Sequence, residues 1–141
     1  MAGSLTDVFE KAVLNYLFRN ASLGLDATNL WVAAFTTTPT DSTTGTEVSG
    51  GSYARVAVVR TGAGFDAASG ASPGTTQNTA AITFPTATAD WGTITGFGIC
   101  ISLAGALSTD LLAWGSLTAS RTVSNGGTLS FAAGALSITC D

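Results

Sequence analysis

The chain contains no histidine among its 141 residues. That removes the commonest general base, the usual partner in a nucleophilic triad and the commonest zinc ligand. Charge is also scarce. Asp, Glu, Lys and Arg make up 10% of the chain, against roughly 25% in an average globular protein. Five basic against nine acidic residues give a formal charge of −4. Binding nucleic acid takes a basic face to neutralise phosphates, so nucleic acid is not an expected partner. No run reaches the roughly 18 apolar residues a membrane helix needs. Nor does a basic region followed by an apolar run mark a signal peptide, so no membrane partner is expected. Two cysteines cannot make a zinc site on their own. Cys100 and Cys140 both fall on inward strand faces, which reads as two buried thiols in adjacent strands. A disulfide between them is the open alternative.

Hydrophobic residues make up 45% of the chain, and Ser and Thr outnumber charged residues by more than two to one. Such a hydroxyl-rich surface suits a protein that packs against neighbours, or a very soluble extracellular domain. The length fits one domain, 1–141, able to bury a real core.

Residues 80–101 (AAITFPTATADWGTITGFGICI) organise the pattern. Ile82 and Phe84 alternate with Thr83, the two-residue period of a half-buried strand. Pro85 lacks a backbone donor and ends that ladder. Alternation then resumes with Ile94, followed by Phe97, Ile99 and Ile101 on one face. Gly96, Gly98 and Cys100 occupy the other face, small enough for another layer to approach closely.

Residues 4–20 predict the one long helix, with Ser4 and Asp7 as a capping pair and Arg19 in the last turn. Val8, Phe9, Ala12, Val13, Tyr16 and Leu17 form its apolar stripe. Leu14 and Phe18 lie one turn apart outside the stripe. They are either further buried surface or a contact with another subunit, and are the candidate interface residues.

The remainder, 29–141, predicts strands. Residues 30–35 (LWVAAF) read as a central strand. The long polar loop over 36–52 carries Asp41 and Glu47, but not the dense Asp/Asn spacing of a calcium site. Residues 52–60 read as a strand with Ala54, Val56 and Val58 on one face. Arg55 lies on the other, otherwise uncharged face, where a salt-bridged or snorkelling residue is expected. Residues 62–78 read as an extended surface loop, and their GAG lacks the setting of a phosphate-binding loop. Strands follow at 111–117 and 136–140, the latter with Leu136, Ile138 and Cys140 inward. Between them Asn125-Gly126 predicts a hairpin within 119–131. The count is seven to eight short strands. The fold class is mainly β: an antiparallel β-sandwich, with Greek-key connections as one option, behind one N-terminal α-helix. No catalytic, cofactor-binding or metal-binding residue is assigned. Asp90 and Asp110 are the one carboxylate pair weighed for hydrolysis, and isolated strand-end aspartates read instead as turn-formers.

Three stretches carry a family resemblance: TTTPTDSTTGTEVSGGSYARVAV (36–58), ITFPTATADWGTITGFGI (82–99) and LTASRTVSNGGTLSFAAGALSIT (117–139). They resemble small virion proteins of tailed bacteriophages usually labelled tail fibre proteins. FGI is often followed there by a Tyr-Asp turn, whereas here Cys100-Ile101-Ser102 follows, so the connection 102–110 is expected to differ. The resemblance implies a non-enzymatic virion component, assembled in the host cytoplasm. The sequence has no heptad, collagen or β-helix repeats from which to build a shaft. A compact knob fits a capsid decoration (cement) protein that clamps capsid subunits. The alternative is a tail fibre or tail-tip adhesin that binds a bacterial surface glycan. Expected partners are copies of itself as a closed trimer, and the major capsid protein or tail proteins.

Overall fold

The computed structural model describes residues 2–25, 28–70 and 74–140. In chain order these form β1 (Ala2–Leu5), α1 (Asp7–Arg19), β2 (Asn29–Thr37), β3 (Thr46–Glu47), β4 (Val56–Val59) and β5 (Gly74–Gln77). There follow β6 (Ile82–Thr83), β7 (Gly92–Cys100), α2 (Leu107–Asp110), β8 (Leu111–Val123), β9 (Ser130–Phe131) and β10 (Ser137–Cys140). The main sheet runs in the order β3-β2-β7-β8-β1-β10-β5, and β4 also pairs with β2. A second, two-stranded sheet joins β6 to β9. The fold is mainly β, with largely antiparallel sheets packed as a sandwich and one main N-terminal helix. The one parallel pair among those described is β1 with β10.

β7 lies at the centre, flanked by β2 and β8 along most of its length. Its two faces separate as the alternation requires. Phe97 and Ile99 enter the larger core with Val32, Ala34 and Leu112, against Ile82, Phe84, Trp91, Leu129 and Phe131. Cys100 enters a smaller cluster with Ala33, Phe35 and Leu111 on the opposite face. Ile94 and Phe97 share the larger core although three residues apart, because the β7–β8 register shifts between Ile94 and Gly96. Between those pairs β8 runs five residues, Arg121 to Ser116, against two on β7, an irregularity larger than a one-residue bulge. Aromatic rings join the two sheets: Phe97 of β7 meets Phe131 of β9 at 6.3 Å between centroids, and Tyr53, stacked on Phe84 at 6.0 Å and edge-on to Trp91 at 5.4 Å, extends the cluster.

Several sequence expectations change. Ser4 does not cap the helix; it lies in β1, opposite Trp114. The cap is Thr6, whose hydroxyl accepts from Phe9 N and donates to the Leu111 carbonyl at 2.7 Å, tying the helix to β8. A four-residue strand held wholly by distant neighbours has no local signal of its own. The expected stripe on α1 is only partly covered. Phe9, Ala12 and Val13 are half-buried, but Val8, Tyr16 and Leu17 are exposed, as is every residue from Leu14 to Arg19. Only the first turns of the helix lean on the sandwich; the later turns run past it.

The Asn125-Gly126 turn forms, with Gly126 at φ 81°, but its flanks do not pair as a hairpin. Residues 84–87 take that place, with Phe84 N donating to Leu129 O and Ala87 N to Gly127 O. The expected strand at 52–60 shortens to β4, because Gly50, Gly51 and Ser52 all take positive φ and turn the chain immediately before it. The expected loop at 62–78 contains β5, which pairs with β10. Residues 71–73 of that loop lie outside the described residues. Cys100 is buried as expected, but Cys140 is exposed and both are free thiols. Their strands are not adjacent, since β8 and β1 lie between β7 and β10.

Candidate functional site

Two features could carry function, one buried and polar, the other exposed and apolar. The buried one is built around Arg55. The turn at 50–52 swings the following chain inward, and Arg55 then reaches β3 on one side and the end of α2 on the other. Its Nε and Nη2 donate to the two carboxylate oxygens of Glu47, each at 2.8 Å. Nη1 donates to Asp110 Oδ2 and to Ser102 O, and Nη2 also to Gly105 O at 3.1 Å. That accounts for all five guanidinium donors. Ser102 Oγ donates to the other Asp110 oxygen at 2.7 Å. Tyr53 donates its phenolic hydrogen to Glu47 Oε1 and accepts from Ala34 N, both at 2.9 Å.

The electrostatics follow from burial and pairing. Burial works against the Arg55 charge, but the hydrogen bonds to Glu47 and Asp110 and the Glu47 charge help to outweigh it and raise its pKa. Burial likewise pushes the Tyr53 phenol up. The Cys100 thiol is pushed up to about 12, first by burial and then by the nearby carboxylates, against the opposing effect of Arg55. A thiol held protonated is not a nucleophile. With every Arg55 donor committed, the cluster clamps the 102–105 loop and β3 to the sandwich.

The residues weighed from sequence are distributed as follows. Asp110 is buried against Arg55, while Asp90 accepts from Asn125 N at 2.7 Å and holds the 125–126 turn. The carboxylate pair is therefore split between two structural tasks. Asp41 accepts from Trp114 Nε1 at 2.9 Å and Glu47 belongs to Arg55, so these two do not share a cation site. Among the described residues no group of three or more potential metal ligands occurs. Arg55 is salt-bridged, as its setting on an uncharged face suggested. Its partner Asp110, 55 residues away, had no sequence signal.

The exposed feature is the outward side of α1. Leu14 is 56% and Phe18 80% exposed, and Leu17, part of the expected apolar stripe, is 63% exposed. Beside the first turns of the helix, Leu5, Phe9, Leu25, Leu30, Phe65 and Ile138 line an apolar groove of about 230 Å³. Leu14 and Phe18 do lie together on a water-facing side of the chain as described.

A family described as Podophage GP4 fiber I protein gp80 matches this chain over residues 4–139. No curated protein matches it.

Proposed function

The chain belongs to the podophage GP4 fiber I protein (gp80) family, and on that premise we propose that it is a non-enzymatic building piece of the tail fibre apparatus. It is a phage structural protein and a virion component. The family match, which spans nearly the whole chain, is the observation that carries the reading. It favours the tail fibre over the capsid decoration role suggested by a compact knob.

The architecture supports a junction piece better than a shaft. The sandwich is closed over two cores and no repeat extends it. Its polar cluster spends its charges internally, which fits a mechanical role. We propose that the working unit is a closed homo-oligomer, a trimer, seated against other tail proteins; recognition of a host-surface glycan belongs to the same proposal. Immunogold labelling of intact virions tests the location. Grains at the tail support the reading, and grains spread over the capsid would return the protein to the decoration role.

A further inference from the structure

We propose that the outward face of α1, formed by Leu14, Leu17 and Phe18, is where copies of this chain meet, their helices packing side by side as a short bundle. The proposal rests on the oligomer reading above only for the number of helices, not for the contact itself.

α1 lacks enough packing of its own. It has 13 residues and none of them is buried. Isolated helices shorter than about 12–15 residues are marginal in water, and most helical stability in proteins comes from burying an apolar face. Val8, Phe9, Val13, Tyr16 and Phe18 are all weaker helix formers than Ala. Thr6 and Asn20 cap the two ends, but caps contribute only about 0.5–2 kcal/mol. The half from Leu14 onward therefore needs a partner that the sandwich does not supply.

The exposed apolar area of the helix is also concentrated on this face. Leu14, Leu17 and Phe18 share the outward arc and are 56%, 63% and 80% exposed, whereas Tyr16 lies on the opposite side of the helix, toward Phe9. At about 150–250 Å² for an aromatic when fully buried and rather less for each leucine, the three leave roughly 350 Å² uncovered. That lies within the range of the largest patch on a typical monomer, about 300–600 Å². It is a little under half of the about 800 Å² that each partner contributes to a standard interface.

A second copy of the helix is the occupant that this face fits. Asp7, Lys11, Leu14 and Phe18 follow one another at spacings of four, three and four and so share one face, an opposite-charge pair followed by two apolar residues, with Leu17 beside them. Two apolar layers make a collar, too short for a shaft. The helix carries Asp7 and Glu10 at its start, with Lys11 and Arg19 further along. Its charge therefore balances while the whole chain carries −4. Copies meeting here escape the repulsion that their net charge imposes elsewhere, and Asp7 and Lys11, one turn apart on the same face, give that face opposite charges to exchange with a second copy.

The test uses the full chain. Light scattering after size exclusion, from low to high micromolar concentration, reads the mass, and far-ultraviolet circular dichroism reads the helix. Wild type is expected as an oligomer. Leu14→Ser with Phe18→Ser is expected as a monomer with reduced helical signal and unchanged tryptophan fluorescence from the sandwich. A variant that keeps the wild-type mass overturns the proposal. Should the double variant unfold, Phe18→Cys in a Cys140→Ser background replaces it. Rapid disulfide-linked dimers are expected, with Ser120→Cys on β8 as the control that stays unlinked. Failure of Phe18→Cys to cross-link overturns the contact. So does a wild-type chain that stays monomeric alone yet binds tail particles lacking it, which would hand this face to another virion protein while leaving the tail location intact.

Discussion

Arg55 grips both carboxylate oxygens of Glu47, its Nε and Nη2 each 2.8 Å away, in a bidentate pair closed from behind by Asp110. Glu47 ends a two-residue strand and Asp110 a one-turn helix, so neither element has much else to hold it. Removing one partner from a buried ion pair costs about 3–5 kcal/mol, because a desolvated charge is left behind. Arg55→Met is expected to lose that much in urea unfolding, leaving two carboxylates facing each other. Adding Glu47→Gln and Asp110→Asn should restore part of the loss. A loss under about 1 kcal/mol would put the cluster in the class of surface pairs.

Gly98 marks the closest approach between β7 and its smaller core. A Cβ there would stand 2.6 Å from Leu111 Cδ1 and 2.7 Å from Phe35 Cε2. Overpacking of this kind costs about 1–3 kcal/mol. Gly98→Ala is expected to destabilise by that amount, and Leu111→Ala in the same chain to recover part of it. Additive losses in the double variant would show that the ring and the leucine already have room to yield.

Stability is expected to fall in alkali. The Cys100 thiol holds its proton to about 12 in the folded chain, against an ordinary 9.0. Between those values the unfolded state binds fewer protons than the folded state, so stability declines as pH rises. Below about 9 the contribution is fully present. Tyr53, raised from an ordinary 10.0 chiefly by burial, acts in the same direction. Melting temperatures followed from neutral pH upward should stay level and then drop above about pH 9, less steeply in Cys100→Ala. A level curve through pH 11 would contradict the burial of both groups.

The two thiols should differ sharply in reactivity. Cys140 is exposed and Cys100 buried, both free. Native protein is expected to take up one maleimide per chain quickly and a second only in denaturant. No rapid uptake would mean a disulfide, and two rapid uptakes an open smaller core.

Local pattern revealed the strands and their faces but not their distant partners. In β7 the alternation alone sorted Phe97 and Ile99 from Gly98 and Cys100, because the period follows from the pleat itself. The irregularity that puts Ile94 on the Phe97 side depends on β8, and no residue in β7 announces it. Asn125-Gly126 was legible as a turn since positive φ is a local property. That Ile82 and Phe84 would line up with Leu129 and Phe131 depends on contacts more than 40 residues apart. On α1, periodicity named Leu14 and Phe18 as a separate face. It does not show that the sandwich ends beneath the first turns, so periodicity alone assigns Tyr16 and Leu17 to the core. Arg55 stood out as a charge on an uncharged face, yet its clamp needed Asp110 brought in by a helix of one turn.

The central claim is that this chain is a structural piece of the tail fibre, and a cryo-EM map of the virion with copy numbers from quantitative mass spectrometry tests it most directly. The account expects a few to tens of copies per particle, in multiples of three, with the sandwich at the tail and the outward face of α1 turned toward its own copies. Hundreds of copies distributed over the capsid lattice would contradict it.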